Sequence, residues 1–256
     1  MTPKEIVQNA IAAMFTGFEP DAAEQLLAAD YNQHNPTVPI GAAPILDFIP
    51  GLKDSGVVLT THRVIAEGDF VVLHNTYENA HAFGAPTLVA FDVFRVENGK
   101  VAEHWDNLQP PAAPNPSGRN MTDGSTAITD LDKTAANKAL VTDFVNTVLI
   151  GGAFDKAGDY IDASSYLQHN PMIGDGLAAV GETFAALAKQ DMAIRYEVAH
   201  RVVGEGNFVF AMSEGHFGAQ HTAFFDLFRV EDGKIVEHWD VISAIPAEMA
   251  HASGKF

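Results

Sequence analysis

Apolar residues recur at helical spacing near the start of the chain, where Ile6, Ile11, Met14 and Phe15 share one face. Pro20 opens a second helix expected from Asp21 to Ala29, Asn35-Pro36 ends regular structure, and a short helix is expected from Pro44 to Ile49. From Val57 the period changes to two. Strands are expected over Val57–Ala66, Phe70–Tyr77, a long stretch ending at Val96, and Val101–Leu108. Helices followed by antiparallel strands describe an α+β domain whose sheet curls over its helices.

The pattern then repeats. Phe94–Asp106 returns as Phe228–Asp240, and Tyr31-Asn32-Gln33-His34-Asn35-Pro36 returns as Tyr166-Leu167-Gln168-His169-Asn170-Pro171. Leu140, Val141, Phe144, Val145 and Val148 form the first helical face of the second copy. Residues 107–134, rich in Pro, Thr and Asp, read as a connection by composition. The expected division is domain 1 over 1–122, a linker over 123–132, and domain 2 over 133–256.

Each copy ends in a hairpin, and its turn decides which side chains share a face. A two-residue loop, Asn98-Gly99, sets Asp92 opposite Trp105 and points Asp106 away. A three-residue loop, Glu97-Asn98-Gly99, closed by a Gly bulge, sets Asp92 opposite His104, and strand alternation adds Asp106 to that face. The second register is preferred because it leaves Arg95 and Glu103 together on the other face. Asp92, His104 and Asp106, with Asp226, His238 and Asp240 in the second copy, are therefore the candidate chemistry. A carboxylate on the concave side of a curled sheet loses water and becomes a competent general base near neutrality, and an imidazole beside it can orient it or donate to a substrate oxygen.

Charge and composition narrow the partners. With 33 acidic against 15 basic residues the net charge is −18, so nucleic acid and anionic membrane surfaces are excluded as partners. There is no Cys to supply a disulfide or thiol nucleophile, and no signal peptide or membrane span is evident, so a cytoplasmic protein is expected. Neither a Gly-rich phosphate loop nor a Gly-x-Ser-x-Gly elbow is present. His-x-Asp on a strand could meet a metal, but no metal signature accompanies it, and neither metal nor cofactor is expected. Among the 11 His, His34 and His169 are open to two roles, capping a turn or entering a pocket. His62 and His200 read as structural, Trp105 and Trp239 as packing or interface residues, and Phe15, Phe94, Phe144 and Phe228 as pocket lining.

Tyr31…Asn35-Pro36 after two helices, and Asn/Asp-Gly-Lys-Val/Ile-x-Glu-His-x-Asp in the last hairpin, resemble the SnoaL-like proteins. These are polyketide cyclases and relatives in the nuclear-transport-factor-2-like superfamily of cone-shaped α+β domains. The resemblance spans both halves and implies two such domains in tandem. It implies that the position of Asp106 and Asp240 is the general base of a metal-free aldol condensation. It also implies that the position of Asn35 and Asn170 lines the pocket, and that the position of Asp92 and Asp226 is a pocket His. Here that His is Asp in both halves, and His104 or His34 (His238 or His169) is expected to supply the imidazole. Many single-domain relatives are homodimers, so an intramolecular pseudo-dimer joined through Val93, Trp105, Leu227 and Trp239 is expected, with further homo-oligomerisation open. The leading expectation is a cofactor-independent lyase or isomerase doing general acid/base chemistry on a small apolar carbonyl compound. The other is a small-molecule-binding or structural tandem module without turnover.

Overall fold

A computed structural model describes residues 1–256 as two compact units, one formed by Met1–Pro110 with Pro246–Phe256 and the other by Pro111–Ile245. Unit 1 begins with α1 (Pro3–Ala12). Thr2 caps it, accepting from Glu5 N while the Glu5 carboxylate receives Thr2 N, so two of the helix's orphan donors are satisfied reciprocally. After α2 (Pro20–Leu26) comes a short strand, β1 (Leu27–Gln33), then α3 (Ala42–Ser55) and the antiparallel strands β2 (Val58–Glu67), β3 (Phe70–Glu78), β4 (Thr87–Glu97) and β5 (Lys100–Gln109). The sheet order is β1-β5-β4-β3-β2. The expected second helix therefore stops short of Ala29, because Leu27 leaves it to pair with Val101 of β5. The third helix is longer than expected, since it carries Pro50 in its interior.

Unit 2 has the same plan: α4 (Thr134–Phe144), α5 (Ala157–Tyr160), β6 (Leu167–Gln168), α6 (Leu177–Ala188), β7 (Ile194–Glu205), β8 (Phe208–Phe217), β9 (Gln220–Glu231) and β10 (Lys234–Ala244), in sheet order β6-β10-β9-β8-β7. In each unit the first helix packs on the sheet. Ile6, Val7 and Ala10 share a core with Leu73 and Phe94, and Val141, Phe144 and Val145 share one with Val209 and Phe228. No helix is long and apolar enough to cross a membrane.

The hairpin register corrects the expectation. Glu97 pairs with Lys100, so the loop is the two-residue Asn98-Gly99, with φ of 51° and 78°. Both central residues are left-handed, as a type I′ turn requires. A bulge then intervenes between Val96↔Val101 and Arg95↔Glu103, so that Asp92 pairs with Asp106 and Phe94 with His104. The expected three-residue loop is wrong, yet Asp92, His104 and Asp106 still share a face, because the extra residue sits at Ala102 instead of in the turn. Unit 2 does the same with Asp232 (φ 48°), Gly233 (φ 73°) and a bulge between Ile235 and Glu237.

The units also divide differently from the expected 1–122 and 133–256. Residues 111–133 are part of unit 2. Asn115 Nδ2 donates to Gln168 O (2.6 Å) and Ile173 O (2.9 Å), the Arg119 guanidinium pairs with Asp175, and Trp239 Nε1 donates to Asp123 O (2.8 Å). The segment taken for a linker is thus a packed strap. Residues 246–256 form the corresponding strap of unit 1, where Ser253 Oγ donates to Asn32 Oδ1 (2.6 Å), Ala250 N to Pro36 O (2.7 Å) and His251 Nε2 to Asn35 O (2.8 Å). Trp105 and Trp239 are buried, each stacked on a ring of its own unit, His34 and His169 respectively, at 4.8 Å.

Candidate functional site

In unit 1 the concave face encloses a cavity of about 530 Å³. Phe15, Ile45, Phe48, Leu52 and Phe83 give it apolar walls, and Asp92, His104 and Asp106 lie at its floor with Tyr31, Gln33, Asn35 and Tyr77. Alternation along the segment from β1 to Pro36 explains which of its residues arrive. Tyr31, Gln33 and Asn35 point in, whereas Asn32 and His34 point out, where both hydrogen-bond Glu103.

His34 and His169 are therefore not the imidazoles of this cluster. His34 Nε2 meets Glu103 Oε1 at 2.9 Å, and Glu103 also receives Arg95 Nε at 2.8 Å. His169 repeats the arrangement, with Glu237 Oε1 at 3.0 Å and Arg229 Nε donating to Glu237 Oε2 at 2.7 Å. Burial alone would raise the Glu237 carboxyl, but hydrogen bonds from His169 and Arg229 outweigh it and hold the group at about 2. This ionised network tethers the segment to the outer side of the sheet.

The inner imidazole is His104. Gln33 Oε1 accepts the backbone N–H groups of His34 and Asn35, both at 2.9 Å, which fixes that atom as oxygen. His104 Nδ1 (3.0 Å) must then donate to it, while Nε2 faces Asp92 Oδ1 at 3.1 Å. The other Asp92 oxygen accepts from Asn75 Nδ2 (2.7 Å) and Tyr77 OH (2.9 Å), so the carboxyl is engaged on both oxygens and the ring beside it on both nitrogens. Asp106 Oδ2 accepts from Asn35 Nδ2 at 2.6 Å. The Asn35 amide is oriented by Thr37, whose N–H and hydroxyl both donate to its oxygen.

Unit 2 repeats the Gln, His and Asn contacts. Gln168 Oε1 accepts His169 N, Asn170 N and His238 Nδ1, His238 Nε2 meets Asp226 Oδ1 at 3.0 Å, and Asn170 Nδ2 donates to Asp240 Oδ2 at 2.7 Å. Burial lowers the affinity of His238 for its second proton. The Asp226 hydrogen bond and the charges of Asp240 and Asp226 more than reverse this, leaving the ring raised above its ordinary value. Asp240 is pushed up to about 6, chiefly by burial, with His238 opposing and Asp226 adding to the rise. Asp226 Oδ2 and Asp240 Oδ1 are buried without a hydrogen-bonding partner.

The phenol on the second carboxylate comes from different strands in the two units. Tyr77 of β3 pairs across the ladder with Leu59, and Tyr196 of β7 pairs with Gly215. Tyr196 OH donates to Asp226 Oδ1 at 3.0 Å. Tyrosine cannot occupy the β8 position in unit 2, since a Cβ on Gly215 would lie 1.9 Å from Arg195 O. Burial first and the neighbouring carboxylates second raise Tyr77 and Tyr196 well above the ordinary phenol value. Tyr31 is raised by burial and then by Asp106, so all three are neutral hydroxyls.

One donor atom each from Asp92, His104 and Asp106 lie within 4.8 Å of one another, as do those of Asp226, His238 and Asp240, a spacing compatible with a small cation. Nδ1 of each ring is committed as a donor to Gln33 or Gln168, and Nε2, the one ring atom left as a ligand, is already engaged by Asp92 or Asp226.

Of the expected lining residues, Phe15 and Phe94 line the cavity, Phe94 stacked on His104 at 4.6 Å. Phe144 and Phe228 instead pack edge-to-face at 5.7 Å within the unit 2 core. Sequence reasoning missed Gln33, Gln168, Tyr31, Tyr77, Tyr196 and Lys255. Alternation inward from Asn35 would have found Gln33 and Tyr31, whereas no local pattern marks the others.

A SnoaL-like domain model matches residues 7–104 and again residues 141–238. No curated protein sequence matches the chain significantly. Solved structures similar to it include TsrD from Streptomyces laurentii, with 22% identity, 41% of this chain and 87% of that one covered, and a TM-score of 0.35. A candidate polyketide cyclase from Bacillus cereus ATCC 10987 is 18% identical, with 42% and 75% covered and a TM-score of 0.37. A candidate ketosteroid isomerase from Kribbella flavida DSM 17836 is 20% identical, with 49% and 90% covered and a TM-score of 0.38. With the domain matched once in each five-stranded unit, the chain belongs to the SnoaL-like family and carries two such α+β domains in tandem.

Proposed function

We propose that unit 1 binds a small apolar carbonyl compound and removes a proton next to its carbonyl, in an isomerisation or aldol-type cyclisation without a cofactor. The observation that carries this reading is a carboxylate, Asp106, held at the floor of a largely apolar cavity by Asn35, beside the His104 imidazole and neutral phenols. Asp106 is the base. Taking the proton neutralises Asp106, and the hydrogen bonds that Asp92 accepts from Asn75 and Tyr77, with His104 beside it, keep the substrate anion from meeting a bare second carboxylate. Tyr31, a neutral hydroxyl at the cavity floor, is the donor for the developing oxyanion.

Unit 2 favours a second reading for its own half. What supports it is that Phe144, on the first helix of unit 2, packs edge-to-face on Phe228 at 5.7 Å within the core. A structural or weakly binding role follows for that unit, with catalysis in unit 1.

The test is exchange of acidic C–H protons for deuterium, followed by NMR on a panel of apolar cyclic ketones. Asp106→Asn keeps the shape and removes the basicity, and should slow exchange on the order of 10²-fold or more while ligand binding survives. Parental exchange in Asp106→Asn would rule out this base.

A further inference from the structure

We propose that Lys255, delivered by residues 246–256, is a positioning residue of the unit 1 site: it closes the flank of β5 and is the counter-ion of Asp106, a charge that unit 2 lacks. This rests on the assignment of Asp106 as the base. The Lys255 side chain is buried, its Nζ donates to the main-chain oxygen of Asp106, and it lies 3.4 Å from Asp106 Oδ1. Its place in the fold explains why it is needed there. β1 pairs with β5 only as far as Gln33↔His104, and His34 N takes His104 O, so beyond that point the edge of β5 offers carbonyls with no strand beside them. Lys255 occupies that edge at Asp106.

The strap that carries it is anchored by His34 Nδ1, which meets Gly254 O at 2.9 Å. In unit 2 the same ring atom, His169 Nδ1, meets Asn120 O at 2.8 Å. The residue after Gly254 is Lys255, and the residue after Asn120 is Met121, also buried. One tether, repeated in both units, is thus followed by a cation in one and a thioether in the other.

The charges around each base differ accordingly. Asp106 is faced by Lys255, by Asp92 of β4, His104 of β5, Tyr31 of β1 and Tyr77 of β3, and by the neutral amide of Asn35. Two carboxylates meet the Lys255 ammonium as well as an imidazole. Asp240 is faced by Asp226, His238, His169, Tyr166, Tyr196 and Asn170. His169 is already paired with Glu237, so two carboxylates share one imidazolium, and Asp240 Oδ1 is left without a partner. Burial draws Lys255 below its ordinary value while Asp106 opposes the fall, as expected of an ammonium kept in the fold for its charge.

The experiment is a pH titration of aspartate side-chain carboxyl carbons by ¹³C NMR in the full chain, with Asp106→Asn and Asp240→Asn giving the assignments. Lys255→Met should move the Asp106 midpoint upward by about one to three pH units relative to the parent, the usual effect of losing an adjacent opposite charge, and leave Asp240 in place. Lys255→Arg should titrate like the parent. An Asp106 midpoint unchanged in Lys255→Met overturns the proposal, as does an equal shift in Lys255→Arg, which would trace the effect to loss of the strap's fit and not to its charge. The titration needs no substrate. If the midpoint moves but no ketone exchanges its protons, the counter-ion stands and the base assignment falls.

Discussion

Asp240→Asn isolates the cost of a buried carboxylate. Asp240 is 4% exposed, so little water reaches it, and its carboxyl is pushed up to about 6. In the unfolded chain it titrates near 3.9. Below about pH 4 both states are protonated and the group contributes nothing adverse. As pH rises from about 4 through 6 the unfolded chain ionises first, so stability is lost across that window and stays lost above it. A difference of about two pH units corresponds to roughly 3 kcal/mol. Asparagine cannot ionise, and its oxygen can still accept from Asn170 Nδ2, which has no freedom to turn because Met172 N holds the other end of the amide at 2.8 Å. The variant should therefore match the parent near pH 4 and exceed it by up to about 3 kcal/mol above pH 7. The chain has two Trp, Trp105 in unit 1 and Trp239 in unit 2, so ¹⁹F NMR of fluorotryptophan-labelled protein follows urea unfolding of each unit separately. A stability difference on the Trp239 signal that does not vary between pH 4 and 8 would refute the reasoning.

Other variants test other links of the argument. Gln33→Leu strands Asn35 N and His104 Nδ1 and leaves His34 N only its bond to His104 O, and should destabilise unit 1 by about 2–4 kcal/mol on the Trp105 signal; a loss below about 1 kcal/mol would show that water replaces the amide. Gly215→Ala must displace the Arg195 backbone, and should cost more than about 2 kcal/mol in unit 2 and weaken the Tyr196–Asp226 contact, seen as a lowered Tyr196 titration midpoint. Phe144→Ala should cost about 3–5 kcal/mol on the Trp239 signal and open a space that takes up small apolar ligands; a fully collapsed site that binds none would argue against unit 2 having been filled by that ring.

The sequence made the duplicated α+β plan legible because strand period, turn residues and repeat all pointed the same way. The contents of the inner face were legible for the same reason: Asp92, His104 and Asp106 share it under any register that keeps their parity. The register itself was misjudged, since Glu97-Asn98-Gly99 suits either loop and a bulge at Ala102 leaves no mark in residue type. His34 was a candidate because imidazole suggests chemistry, yet alternation sends it outward and brings Gln33 in. Lys255 could not be found locally, because it reaches Asp106 across 149 positions of sequence. Composition misled at 107–134, where Pro and Asn serve a packed strap instead of a free connection, with Asn115 buried and holding two carbonyls.

The division of the units has a consequence for the order in which the chain can be completed. Unit 2 is one continuous stretch, Pro111–Ile245, whereas unit 1 is interrupted by it and resumes at Pro246. Domains commonly finish in the order of synthesis. Here the half made first waits longest: when Gln109 leaves the ribosome the cavity has its walls and floor, but the tether for His34 and the partner for Asp106 are still more than a hundred residues away. Released chains truncated after Ile245 should show a protease-resistant unit 2 and a unit 1 still open along β5, and unit 1 should close only in chains that include Lys255.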